Sequence, residues 1–181
     1  MRSIQWCGPA CLALAVACSE PETGPGEVAG VRPAAAAGGV EESVSGGGAF
    51  EHPVFGTVTL AFNATRYADG SVSGRFQQHQ PAFGFTYKGD VTCFVIDRVN
   101  HRAWVGGVLT HSNDPDPITE VGDDAWFRVL DTGDNAVEPD RSTFLGFEGA
   151  IVTSEEYCQL LIWPDDNART WPVNQGNIVL H

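Results

Sequence analysis

From residue 56 to residue 97 apolar and polar residues alternate with a period of two, and that rhythm restricts the fold more than any other property of the chain. In GTVTLAFNATRY, Val58, Leu60 and Phe62 fall on one face and Thr57, Thr59 and Asn63 on the other, the pattern of a strand with one side in a core and the other in water. Asp69-Gly70 supplies the positive-φ residues of a tight hairpin, and Val72, Gly74 and Phe76 continue the returning strand. Phe83, Phe85 and Tyr87 alternate again. After Gly89-Asp90, the segment VTCFVID is apolar on both faces and reads as a central strand.

The remaining strands follow at similar spacing. VNHR turns the chain into AWVGGVLT, where Gly106-Gly107 inside a strand pattern predicts a bulge or a close backbone approach. The polar loop HSNDPDPITEVGDD leads to AWFRVL (125–130), then TFLGF (143–147) and the closing NIVLH (177–181). Only TSEEYCQLLI has helical character, with Thr153 and Glu156 placed as a capping box and Trp163-Pro164 expected to end it. Roughly eight short antiparallel strands with nothing to build crossovers predict an all-β fold, a single antiparallel β-barrel or β-sandwich with one short helix.

The N-terminus has a different character. Arg2 is the only charge in the first nineteen residues, and the apolar run that follows falls short of the about 20 residues a membrane span needs. A positive start, a short greasy stretch and small residues ahead of a cut describe an export signal. Ala15-Val16-Ala17-Cys18 resembles the lipobox of bacterial lipoproteins, which implies cleavage before Cys18 and a diacylglycerol on its thiol. An ordinary secretory peptide cut at or just after Ala17 is the alternative, and both readings take the chain out of the cytoplasm. Residues 18–48, rich in Gly, Ala, Pro and Glu and without an aromatic, cannot bury enough apolar area to offset chain entropy and read as a disordered tether. A flexible segment of that length reaches about 30 Å. Residues 49–181 remain as one β-domain.

Charge narrows the partners. The chain carries 10 Lys and Arg against 23 Asp and Glu; loss of Arg2 with the leader leaves nine bases and a net charge of −14. Such a surface repels nucleic acid and anionic headgroups, so nucleic acid is not an expected partner and membrane association is expected through the lipid anchor alone. Of five cysteines, Cys7 and Cys11 leave with the signal and Cys18 is lipidated. Cys93 and Cys158 remain as an even pair in an oxidising compartment, which predicts a disulfide.

The ordered series YADGSVSGRFQ, GDVTCFVID, RAWVGGVLTHS, WFRVLDTGDNA, DRSTFLGF, Cys158 and GNIVLH resembles an uncharacterised group of secreted bacterial β-domains, the post-COAP-type domains. The resemblance implies an extracytoplasmic β-module with no established activity, so it transfers no catalytic residue.

Candidate chemistry is sparse. His79, His101 and His111 lack the spacing of a zinc site. Asp131 and Asp134 in DTGDN, with Asp114 and Asp116 nearby in sequence, offer oxygen ligands of the kind calcium prefers, but the same residues are ordinary turn formers. No cofactor is expected and no catalytic residue is assigned; GxSxG is missing, and the acidic pairs are consecutive, so their side chains diverge. Four tryptophans fall in the domain, and Trp104 and Trp126 sit beside Val105 and Phe127 in strands, so one of each pair faces away from the core. They are the candidate binding residues, with plain packing as the competing reading. The expected function is a membrane-anchored extracytoplasmic lipoprotein whose β-domain binds a small molecule, glycan or surface protein without catalysis. A hydrolase-like or isomerase-like enzyme with its site in a barrel mouth, and a structural spacer, are the alternatives.

Overall fold

The structure, a computed structural model, describes residues 39–133, 136–147 and 149–181. The expected signal peptide, Cys18 and most of the expected tether lie outside the described residues.

Among the described residues nine strands make one antiparallel sheet: β1 (Val40–His52), β2 (Gly56–Tyr67), β3 (Val72–Gln80), β4 (Phe85–Asp97), β5 (Arg102–Ser112), β6 (Asp124–Leu130), β7 (Arg141–Ser142), β8 (Trp171–Pro172) and β9 (Asn177–Leu180). Their order is β8-β7-β6-β5-β4-β3-β2-β1-β9, a meander with β9 returned to its beginning. An α-helix, α1 (Ser154–Leu160), lies between β7 and β8 in sequence. The fold is all-β, as the alternation requires.

The sheet is curled and barrel-like, and one C-terminal stretch links its two ends. Trp171 and Pro172 pair with Ser142 and Arg141. The backbone then crosses to β1, where the Asn174 N–H donates to Ala49 O at 2.7 Å and Asn177 to Leu180 pair with Gly47 to Val44. On its other side β9 has no strand beside it among the described residues. There the Ile178 N–H donates to Asp140 Oδ2 at 2.7 Å and the Leu180 N–H to Asp131 Oδ2 at 3.2 Å, so two carboxylates occupy donors that an open edge would expose.

This crossing corrects the expected tether. Val40–Gly48 belong to β1, and the register runs from Val40 opposite Tyr67 to His52 opposite Gly56. The glycines that resemble linker composition serve close approach: a Cβ on Gly46 would lie 2.9 Å from the Ile178 Cα, and one on Gly47 would lie 2.8 Å from Leu60 O.

Two further segments differ from expectation. Phe85–Asp97 is a single strand running through Gly89-Asp90, because Gly89 opens space for the Phe76 ring instead of turning the chain. In 143–147 only Gly146 keeps a bridge to β6, to Trp126, and the Trp126 indole lies over the Gly146 Cα where a side chain would stand. The apolar pattern there records burial: Leu145 enters the core, and Phe144 and Phe147 pack at its margin.

Inside the curl the core contains Val58, Leu60, Phe62, Phe76, Phe94, Val105, Leu109, Phe127, Val129 and Ile178. Outside it, α1 covers β4, β5 and β6. Thr153 caps the helix, its Oγ1 accepting the Glu156 N–H at 3.1 Å, and the left-handed Leu161 ends it two residues ahead of Trp163. Cys93 on β4 is bonded to Cys158 on α1, with Cα atoms 6.4 Å apart. Gly106 lets the helix sit down on the sheet, since a Cβ there would fall 2.8 Å from both Cys93 Sγ and Ser154 Cβ. The bulge expected near Gly106-Gly107 occurs on the opposing strand, between Val91 and Cys93. VTCFVID is thus covered on both faces, by the core on one and by the helix on the other.

Candidate ligand site at the mouth of the sheet

At one end of the curl, the β1–β2 turn, the β3–β4 turn and the long β5–β6 loop converge with Phe144 and Phe147. They enclose a cavity of about 300 Å³ whose walls include Phe55, Phe83, Phe85, Ile118, Phe144 and Phe147. The turns form because Gly56 and Gly84 take positive φ, 66° and 73°. Asn113 fastens the long loop to the neighbouring turn: its Oδ1 accepts the Thr86 N–H at 2.6 Å and its Nδ2 donates to Gly84 O at 2.9 Å. Asp116 then caps a single helical turn at Pro117–Thr119 by accepting the Ile118 N–H. The walls are therefore held by side-chain-to-backbone hydrogen bonds before any ligand arrives.

A polar chain forms the floor. Gln80 Nε2 donates to the Tyr87 hydroxyl at 3.2 Å, and that hydroxyl donates to Asp114 Oδ2. Gln80 and Tyr87 are buried, and Asp114 Oδ1 also accepts the Asp116 N–H at 3.1 Å. Burial first, and the Asp114 carboxylate second, push the Tyr87 phenol well above its usual value. Tyr87 stays protonated and acts as a donor, unsuited to serve as a base near neutrality. Gln78, two residues along the same face of β3, is fully buried with its Oε1 accepting the Leu145 N–H; its Nε2 has no partner among the described residues.

Rings continue outward from this floor. Phe83, half exposed, packs edge-on to Phe55 at 5.8 Å and stacks on Phe85 at 5.8 Å. His52 lies 4.5 Å from Phe55 and 4.4 Å from Trp171, centroid to centroid. Its Nδ1 accepts the N–H groups of Val54 at 3.1 Å and Phe55 at 3.2 Å, and burial holds its pKa below the ordinary imidazole value.

Trp104 and Trp126 are elsewhere, on the outer face of β5 and β6 beneath α1. Trp104 is packing: it is buried, its Nε1 donates to Ile162 O at 2.9 Å, and Trp163 meets it edge-on at 5.7 Å. Trp126 stacks on Tyr157 and lines a second cavity of about 190 Å³ with Arg128, Phe144 and Trp171. The alternation assigns Phe83 to a strand with Phe85 and Tyr87, and TFLGF assigns Phe144 to another, but Phe83 stands in the β3–β4 turn and Phe144 in an irregular segment, with Phe55 in the β1–β2 turn; the strand pattern therefore does not bring these rings together. Their one sequence signal was density of phenylalanine near strand ends.

The metal candidates are not assembled. Asp131 has both oxygens engaged, Oδ1 by the Gly133 N–H at 2.8 Å and Oδ2 by the Leu180 N–H. Asp134 lies outside the described residues. Among the described residues no three His, Cys, Asp or Glu side chains are placed to hold an ion. His79, His101 and His111 stay apart: His79 contacts Phe85 O and Thr86 Oγ1, His101 occupies the β4–β5 turn at φ 53°, and His111 is exposed on β5.

A further, open concavity of about 660 Å³ lies on the outer surface of β2 to β4 among Asn63, Arg75, Gln77, Lys88 and Asp90. Those side chains are exposed, and the Arg75–Asp90 pair at 3.6 Å is open to solvent, so the surface offers little desolvation to a ligand.

No protein family, curated protein or solved structure matches the chain.

Proposed function

We propose that this protein is an extracytoplasmic bacterial lipoprotein whose β-domain binds a small, largely apolar molecule in the aromatic mouth. The lipobox-like Ala15–Cys18 run supports the anchor, and the post-COAP-type residue series supports the secreted setting. One observation carries the binding reading: a ring-lined cavity whose floor is the chain Gln80–Tyr87–Asp114, with half-exposed Phe83 at its rim. Apolar walls with a few convergent polar groups are the usual form of a small-molecule site. Asp114 and Asp116 at that cavity favour a ligand with a donor or cationic head, which rings also attract.

Titration with N-phenyl-1-naphthylamine, whose fluorescence rises out of water, tests the site. Saturable binding weakened by Phe83→Ala supports it; no saturable signal in the folded protein would leave the spacer reading. The anchor is tested by feeding cells labelled palmitate, with label expected on the native chain and lost in Cys18→Ala.

A further inference from the structure

The second cavity has a chemistry opposite to the mouth. Beside Trp126, Phe144 and Trp171 it is lined by Arg128, Arg169, Thr143 and Tyr157. In a chain with a net charge of −13, two guanidinium groups in one small cavity are conspicuous if they lack carboxylates. The ion pairs among the described residues are Arg66–Glu42, Arg75–Asp90 and Arg98–Glu42, and none includes Arg128 or Arg169.

Arg128 is only 7 % exposed. Its Nη2 donates to Ala168 O at 2.7 Å, while its Nε is buried with no partner among the described residues. A buried guanidinium without an anion is costly, and an unmade hydrogen bond adds to that cost. Its surroundings offset the burial with the Ala168 carbonyl, the neighbouring Tyr157 hydroxyl and π-electrons: the guanidinium carbon lies 5.3 Å from the Trp163 ring centroid, and Arg102 approaches the same ring at 4.5 Å. Like charges gathered around one indole raise the local positive potential further. Arg169, exposed at the rim, is held at φ 62° in a segment where Asn167 also takes positive φ. The Tyr157 hydroxyl beside Arg128 is pushed up to about 12 by burial, against the opposing effect of Arg128, and remains a donor.

We propose that this cavity is a binding site for a small aromatic carboxylate, its carboxylate on Arg128 and Arg169 and its ring against Trp126, Phe144 and Trp171. Guanidinium groups match the planar carboxylate with paired donors, and the aromatic walls take the flat body. The site is separate from the mouth; Phe144 is their shared wall.

Benzoate is the probe, followed by the indole N–H signals of Trp126 and Trp171 in nitrogen–proton correlation spectra of the full chain. Saturable shifts are expected, weakened about tenfold in Arg169→Gln, since one charge-assisted contact is lost. Arg169 is exposed, so that variant keeps its melting temperature; Arg128→Lys, which preserves charge without the fork, is expected to weaken binding as well. Phe83→Ala, at the mouth, should leave benzoate binding unchanged. The proposal is overturned by absence of shifts up to roughly 10 mM benzoate, by equal affinity in Arg169→Gln, by benzyl alcohol or inorganic phosphate binding as tightly as benzoate, or by loss of binding in Phe83→Ala.

Discussion

Phe55 and Phe144 stack with centroids 4.6 Å apart and planes 27° from parallel, joining the β1–β2 turn to the segment after β7. Phe144 also borders the arginine-lined cavity, so one ring separates two compartments of opposite character. Phe144→Ala should join them. Loss of a half-buried phenylalanine is expected to cost about 3 kcal/mol, at the low end for such truncations. It should weaken naphthylamine and benzoate binding together, whereas Phe83→Ala weakens only the first; parallel titrations of the two variants decide it.

The bond between Cys93 and Cys158 ties β4 to α1 across 65 residues. In the chain-entropy description, closing such a loop stabilises the fold by about 4 kcal/mol. Urea denaturation of the Cys93→Ser, Cys158→Ser double variant should give an unfolding free energy in water lower by about that amount, with a steeper slope because the unlinked denatured chain is less compact. An unfolding free energy equal to that of the oxidised protein would show that the bridge carries no stability.

Gly106 makes room for the helix, because a Cβ there would stand 2.8 Å from Cys93 Sγ and Ser154 Cβ. Gly106→Ala should force α1 outward and cost about 1 to 3 kcal/mol, the usual range for overpacking. Gly122→Ala has no neighbour within 4 Å but a φ of 104°, so it tests backbone strain without a clash. Near-ultraviolet circular dichroism from Trp104 and Trp126 should change in the first variant and persist in the second.

Asp140 is buried and links three segments, accepting the Thr132 N–H at 2.9 Å and the Ile178 N–H at 2.7 Å. Asp140→Ala leaves those donors without partners, at about 3 kcal/mol in total. Amide exchange at Ile178 and Leu180 should accelerate well ahead of exchange in β2 and β3. Uniform acceleration would mean that the C-terminal stretch is not a separate unit.

His52 accepts two backbone N–H groups through Nδ1, so protonation would remove both bonds and place a charge among Phe55, Phe144 and Trp171. Its folded-state pKa is depressed by burial, so the unfolded chain binds the proton at higher pH than the folded one. The stabilisation is fully present above the unfolded imidazole value of about 6.5 and is lost as pH falls from there through the folded pKa. Melting temperatures at pH 8 and pH 5 should fall further for the native chain than for His52→Asn, whose side-chain oxygen accepts without titrating. Equal drops would place the acid sensitivity elsewhere.

The period-two pattern at Val58, Leu60 and Phe62, the Asp69-Gly70 turn and the cap at Thr153 were legible because each depends on neighbours a few residues away. All-β architecture, the short helix and the pairing of the last two cysteines follow from such local signals and from counting. The Gly46–Gly48 run was not legible as strand: linker glycine and close-contact glycine have the same composition, and only Ile178 and Gln175 arriving from the far end of the chain distinguish them. The same holds for function. Phe55, Phe83, Phe85, Phe144 and Phe147 come from three separate regions of sequence, and Arg128 meets Arg169 across 41 positions. Local sequence therefore determined where most of β2 to β6 runs and which face of those strands is apolar. Tertiary structure alone decided where the strand ends meet, and with them both cavities, because a side chain's partners across a curled sheet depend on register and closure rather than on spacing along the chain.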